Sequence, residues 1–145
     1  MLISTRIEGL GMIPSESQEQ KALVQWLNYH PILKNYFCKI PNEGKRSIIL
    51  GAKLKLEGLR AGVPDLLIYY PSGLYYGLWL EVKQNRRYRE SERRTKTWIA
   101  QKEFIETVRS VGYYADFCYG WEDGKRIVEE YLKPVVGVPD NPKEG

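Results

Sequence analysis

The chain has 145 residues, a formal net charge of +4 and a pI of about 9.0. This length predicts one domain with a single core, and the positive charge is compatible with a polyanionic partner without requiring one. One histidine and two cysteines, Cys38 and Cys118, exclude a histidine-rich or cysteine-rich metal site, and we interpret both cysteines as buried apolar residues. With no apolar span or signal-peptide pattern, we expect a cytoplasmic protein without a membrane partner.

Hydrophobic spacing, capping residues and turn signals divide the chain into helices and strands. They predict, in chain order, a helix over 15–29, a strand over 36–40, a helix over 47–57, a strand hairpin over 65–83, a helix over 95–110, a strand over 113–118 and a last helix from 122 or 123. This order predicts an α/β or α+β fold, in which a mixed central sheet has helices on both faces. We expect one domain over 15–133, after an N-terminal extension over 1–14 and before a flexible tail over 134–145.

The hairpin is the most informative segment. Its two apolar runs are joined by a turn at Pro71-Ser72-Gly73, and a turn centred on Gly73 would pair Leu67 with Trp79 and Asp65 with Glu81. Residues directly opposite in an antiparallel pair point to the same face, and Lys83, two residues beyond Glu81, shares that face. A register shift of one residue would separate the two carboxylates.

Two opposed carboxylates repel each other unless a cation lies between them. Oxygen ligands suit Mg²⁺, for which Mn²⁺ can substitute, and these ions also bind substrate phosphates. Lys83 would then lie near a scissile phosphate, where it can orient water or stabilise developing charge. The alternative is a set of strand-end salt bridges, but apolar residues on both faces of the hairpin favour a buried site whose charges need a partner.

The sequence resembles the VRR-NUC branch of the PD-(D/E)xK, or restriction-endonuclease-like, nucleases, especially the standalone phage and bacterial type. The resemblance covers roughly residues 15–133 and rests on an ordered set of motifs: Ser15-Glu16 with Gln20, Gly58 to Asp65, Glu81-Val82-Lys83, Gln101 and Gly112-Tyr113. It implies a restriction-endonuclease-like fold and a bacterial or phage-infected host cell. It also implies a Mg²⁺-dependent endonuclease that cuts branched DNA, such as a four-way (Holliday) junction, as a homodimer without a small-molecule cofactor.

The resemblance also implies roles for single residues. Asp65 and Glu81 would bind the metal together with the Val82 carbonyl, and Lys83 would be catalytic. A glutamate from the first helix would join them, and the motif match gives this role to Glu16, with Glu19 as the alternative. Gln101, a polar residue on an otherwise apolar helical stripe, would support the catalytic residues; a structural hydrogen bond is the other interpretation.

Basic residues flank these motifs on both sides. The candidates for nucleic-acid contacts are Lys45, Arg46, Arg60, Arg86, Arg87, Arg89, Arg93 and Arg94. Basic side chains beside a phosphodiesterase site are typical of a phosphate clamp, although a solvated loop has the same composition. Two other functions therefore stay open: a non-catalytic nucleic-acid-binding module and a sequence-specific restriction-type endonuclease.

Overall fold

The computed structural model describes residues 12–41 and 47–133. The predicted tail over 134–145 and most of the predicted N-terminal extension lie outside the described residues. So do two of the predicted nucleic-acid contacts, Lys45 and Arg46.

A four-stranded mixed sheet forms the centre of the described fold, in the order β1-β2-β3-β4. Its elements are α1 (Glu16–Tyr29), a 3₁₀ turn (Leu33–Asn35), β1 (Phe37–Lys39), α2 (Ile48–Leu56), β2 (Leu66–Ile68), β3 (Leu78–Lys83), α3 (Glu90–Arg93), α4 (Lys96–Ser110), β4 (Tyr114–Tyr119) and α5 (Trp121–Leu132). The β1–β2 and β2–β3 pairs are antiparallel, and β3 and β4 are parallel, joined by the crossover that contains α4.

Each face of the sheet packs against helices. Even-numbered residues of β2 and β3, such as Leu66, Leu80 and Val82, are fully buried against α1 and α5. Odd-numbered residues, such as Trp79 and Ala115, pack against Phe104, Ile105 and Val108 of α4. This alternation follows from the two-residue period of a strand. The predicted mixed sheet with helices on both faces, consistent with a restriction-endonuclease-like fold, is confirmed.

The predicted helices form, with small differences at their ends. The Ser15 capping box begins α1, and the Thr95 side chain caps α4 by accepting the N–H of Trp98. The last helix begins at Trp121, earlier than predicted. Gly120, at a φ of +90°, precedes this helix, and its missing side chain leaves room for a carboxylate from α1 that binds the first turn.

The hairpin has the predicted register but a different tip. Leu67 pairs with Trp79, as a turn centred on Gly73 requires. Beyond the ladder, Ser72 and Tyr75 exchange two backbone hydrogen bonds, so the tip lies between Gly73 and Leu74. Gly73 has a φ of +57°, which suits the first central position of a two-residue hairpin turn.

One feature of the described surface differs from the sequence interpretation. Cys118 is buried in the main core as predicted, but Cys38 lies exposed on the edge strand β1, where its pairing with Leu67 places it on the sheet face opposite that core. Helix α2 buries none of its residues, and Ile48 and Leu56 are 92% and 90% exposed. Within residues 12–41 and 47–133, no helix has the length and apolar character needed to cross a membrane.

Candidate active site

Asp65 and Glu81 meet where β2 and β3 open at one end of the hairpin. Leu66 pairs with Leu80, so the same register, continued by one residue, places Asp65 opposite Glu81. The backbone N–H of Val82 donates to Asp65 Oδ2 at 2.8 Å. Asp65 therefore satisfies a strand N–H that has no partner in β2, and this bond holds its carboxyl group beside Glu81.

Glu81 is a buried carboxyl group in an acidic environment. Glu81 is only 3% exposed, and its pKa is raised to about 9, with burial as the largest cause. The charge of Asp65, a side-chain hydrogen bond with Asp65 and the charge of Glu16 also contribute to this raised pKa, whereas Lys83 opposes it. A protonated Glu81 sharing a hydrogen bond with Asp65 is the expected state when no cation offsets the charge.

Lys83 lies on the same face of the sheet, in a pocket made by α4 and β4. Its ammonium group donates to Gln101 Oε1 at 2.8 Å and lies 4.4 Å from the centre of the Trp98 ring. Only 6% of Lys83 is exposed, so the amide and the ring fix the position of its nitrogen. Lys83 is thus the hydrogen-bond partner of the Gln101 side-chain amide.

The loop that leads into Asp65 packs directly on α4 at Gly62. A Cβ at this position would lie 2.3 Å from the carbonyl oxygen of Ala100 and 2.8 Å from the backbone nitrogen of Gln101. The φ of Gly62, +82°, also favours glycine. Glycine therefore brings the loop that carries Asp65 against the helix that carries Gln101.

The two candidate glutamates of α1 have different surroundings. Glu16 is exposed and lines a cavity of about 570 Å³ together with Asp65, Glu81 and Gln101. Glu19 is buried, and its Oε1 accepts the N–H of Trp121 at 3.2 Å. Glu19 thus satisfies the N-terminus of α5, and Glu16 is the α1 carboxylate that lies at the site.

The donor set suits a divalent cation held partly by its substrate. In residues 12–41 and 47–133, no three Asp, Glu, His or Cys side chains come together as a metal cluster. Asp65 and Glu81 therefore form the centre of the site, and the exposed Glu16 lies at the rim of the same cavity. Mg²⁺ is commonly bound through one or two carboxylates, with waters and substrate phosphates completing its shell. The N–H and C=O of a strand residue face the same neighbour, so the Val82 carbonyl points to the side on which Asp65 lies.

One solved structure is similar to this chain in sequence and fold. It is described as a VRR_NUC domain protein and is similar over 88% of this chain and 97% of its own length, with 27% sequence identity and a TM-score of 0.69. This likeness supports a VRR-NUC nuclease domain in the chain. No family model and no curated protein matches the sequence. The sequence motifs and the likeness of the fold both point to a VRR-NUC domain.

Basic residues surround the acidic pair of the VRR-NUC domain. Lys55, Arg60 and Lys96 line the same 570 Å³ cavity as Asp65 and Glu81. Arg60 was among the predicted nucleic-acid contacts, whereas Lys55 and Lys96 were not. Lys55 lies near the end of α2, and Lys96 is the first residue of α4. Both reach the cavity through the placement of their helices in the fold, which local sequence patterns do not show.

The basic stretch after β3 of the VRR-NUC domain divides into parts with different surroundings. Arg86 lies 3.9 Å from the centre of the Tyr88 ring and donates to Glu92 at 2.7 Å. The hydrogen bond from Arg86 and a second from the backbone of Arg89 lower the pKa of Glu92 to about 2. Arg86 therefore stabilises the loop, while Arg87 and Arg89 are exposed.

Arg93 and Arg94 line a separate groove of about 540 Å³, between α4 and the outer edge of β4. This groove shares no lining residue with the cavity that contains Asp65 and Glu81. The structure thus does not bring these two predicted contacts to the acidic pair, because α3 turns them toward β4.

Proposed function

We propose that this VRR-NUC domain is a metal-dependent DNA endonuclease that hydrolyses phosphodiester bonds in branched DNA. The observation that supports it most is the pairing of buried Glu81 with half-buried Asp65, because the raised pKa of Glu81 reflects a negative site suited to a cation. A Mg²⁺ ion, or Mn²⁺ in its place, would be held by these two carboxylates and the Val82 carbonyl, with Glu16 near enough to contribute from the rim. When bound, the cation would supply Lewis-acid stabilisation of phosphate charge.

The side chains of the domain have separate tasks in hydrolysis. The oxygen of a water molecule forms a bond to phosphorus, the bond from phosphorus to the leaving oxygen breaks, and that oxygen gains a proton. Lys83, fixed by Gln101 and Trp98, orients the water or stabilises the charge that develops on the phosphate. The family pattern assigns the 5′-phosphate to the product.

The basic residues of the cavity would hold the DNA backbone. Lys55, Arg60 and Lys96 lie beside the acidic pair, where they would contact phosphates on either side of the scissile bond. Their charges also compensate for bringing a polyanion close to three carboxylates. Such binding should weaken steeply with salt.

We extend the proposal to a homodimer that places two sites on one four-way junction in the bacterial or phage-infected cytoplasm. The exposed apolar residues of α2 support this part, because Ile48, Ile49 and Leu56 are each more than four-fifths exposed. Exposed apolar patches on a folded domain are typical of protein interfaces. Helix α2 follows residues 42–46 and ends near the cavity through Lys55, so a partner bound here would lie beside the site.

The direct test incubates the protein with a four-way junction, a flap and a plain duplex, with and without Mg²⁺. We expect Mg²⁺-dependent cutting of branched substrates and its loss in Asp65→Ala, Glu81→Ala and Lys83→Ala proteins that keep their circular dichroism spectrum. Binding without cutting under Mg²⁺ and Mn²⁺ would instead indicate a nucleic-acid-binding module. Cutting of linear duplex at defined sequences would indicate a restriction-type enzyme.

A further inference from the structure

A second groove leads away from the acidic pair along helix α1. This α1 groove has a volume of about 720 Å³ and runs between α1 and Lys39 at the end of β1. Glu16 and Asp65 line both the α1 groove and the cavity that contains Glu81. The two spaces are therefore adjacent, and a strand whose phosphate lies at Asp65 would reach from the cavity into the α1 groove.

The groove side of α1 is built of neutral hydrogen-bonding residues. Ser17, Gln20, Gln25 and Asn28 line the groove, together with the apolar Val24. At 100° per residue they fall on one side of the helix, away from the face that buries Ala22, Leu23 and Leu27. Exposed helix faces commonly carry lysine and glutamate, whereas amides can both donate to and accept from the edges of nucleobases.

The groove also has the two groups that bind unpaired nucleic acid without regard to sequence. Lys21 and Lys39 stand along it as partners for phosphates. Tyr29 lies at the far end of α1 and is 72% exposed, which leaves its ring accessible to a base. A track of positive charge combined with an exposed aromatic ring is typical of single-strand binding.

We infer that the α1 groove binds an unpaired strand of the substrate, continuous with the phosphate held at Asp65 and Glu81. The inference rests on the proposed nuclease function for the position of that phosphate. The groove, at about 720 Å³, has the volume of a pocket for a small organic ligand, which suits a short run of nucleotides. The amides contact base edges, Tyr29 stacks on a base, and the two lysines contact the backbone.

Fluorescence anisotropy of the full chain in metal-free buffer measures this binding without cleavage. The probes are a labelled oligothymidylate of about ten nucleotides and a blunt duplex of similar length. We expect Tyr29→Ala to weaken oligothymidylate binding about tenfold and to leave duplex binding within about twofold, because stacking is lost on unpaired bases alone. Tyr29→Phe keeps the ring and should bind like the wild type.

Matched control variants are available elsewhere on the surface. Tyr76 is 67% exposed and lies next to Gly112, far along the chain from the groove, so Tyr76→Ala should bind the oligothymidylate like the wild type. Lys21→Gln should weaken binding several-fold, whereas Lys34→Gln, which removes an exposed charge from the 3₁₀ turn, should not. Equal oligothymidylate binding by Tyr29→Ala, Lys21→Gln and the wild type would overturn the inference.

Photocrosslinking locates the strand directly. An oligonucleotide containing 5-iodouracil, crosslinked to the wild type and digested with trypsin, should label the peptide that runs from Ala22 to Lys34 and contains Tyr29. Labelling confined to other peptides would overturn the inference. Wild-type protein that binds the strand through Tyr29 but cuts no DNA with Mg²⁺ would retain the groove and refute the nuclease. Protein that cuts branched DNA but binds unpaired strands independently of Tyr29 would support the nuclease function and overturn the inference about the α1 groove.

Discussion

Asp65 and Glu81 stand opposite each other at the open end of the hairpin, and the Asp65 carboxyl raises the pKa of Glu81 through its charge and a side-chain hydrogen bond. Such a bond requires that one of the two carboxyls holds a proton. Bringing two carboxylates together in a buried position is unfavourable, and either a proton or a cation can offset the charge. The pair is therefore a negative site whose protonation and metal binding compete.

The raised pKa of Glu81 gives the first prediction. Its pKa rises from 4.5 to about 9 on folding, so the metal-free folded state binds more protons than the unfolded state between these values. Stability should therefore fall as pH rises from about 4.5 toward 9. Glu81→Gln removes this loss, and we expect its free energy of unfolding at pH 8 to exceed that of the wild type by on the order of 1–3 kcal/mol. Urea unfolding in EDTA measures the difference, which should shrink at pH 5; the same difference at both values would contradict the assignment.

The two positive-φ glycines before Asp65 form a matched pair. Gly58 has open space around its Cβ position, whereas a Cβ on Gly62 meets the backbone of Ala100 and Gln101. Gly58→Ala should lower the free energy of unfolding by about 1 kcal/mol, because only the backbone conformation is strained. Gly62→Ala should lower it by more than about 3 kcal/mol, because a clash with α4 is added to that strain. Thermal and urea unfolding compare them, and equal losses would mean that the loop does not pack on α4 as described.

Much of this architecture could be predicted from local sequence. The Ser15 capping box, a threonine cap at Thr95 or Thr97 and the apolar runs of the hairpin are short-range signals, and each element formed, with Thr95 as the cap. The opposition of Asp65 and Glu81 follows from the turn and the strand period. The pairing of Gln101 with Lys83 needed only one further step, since a buried amide requires a partner.

Other features depend on contacts between distant parts of the chain. Glu19 binds the N–H of Trp121, which is 102 residues away, so an acidic residue in the first turn of α1 could not be told from a metal ligand by its position. The separation of Arg93 and Arg94 from the acidic pair depends on how α3 and α4 pack against β4. The α1 groove likewise exists only because β1 lies beside α1.

The division of roles between the two glutamates of α1 can be tested. Glu19→Ala should lower stability by about 1–2 kcal/mol because the first turn of α5 loses its buried acceptor. Glu16→Ala, at an exposed position one turn earlier, should leave stability unchanged and lower the rate of DNA cleavage. Thermal unfolding and single-turnover cleavage of both variants are required. The reverse pattern would assign the site to Glu19.

Gln101 should act through Lys83 and not through the metal. Gln101→Ala removes the acceptor that fixes the ammonium group, and we expect cleavage to slow about tenfold with unchanged Mn²⁺ affinity. Lys83→Ala should slow cleavage by about 10²–10³, as the loss of a direct electrostatic contact does. Lys102→Ala, at the exposed neighbouring position on α4, is the control for both. Weaker Mn²⁺ binding by Gln101→Ala would contradict a positioning role.

Isothermal titration calorimetry with Mn²⁺ tests the acidic pair most directly. The wild type should bind Mn²⁺ and should do so more tightly at pH 8 than at pH 6, because the cation must displace the proton shared by Asp65 and Glu81. Asp65→Asn and Glu81→Gln should abolish the binding, and Glu129→Gln, at an exposed position on α5, should leave it intact. Equal Mn²⁺ binding by all four proteins, or none by the wild type, would contradict a metal-dependent site at this pair.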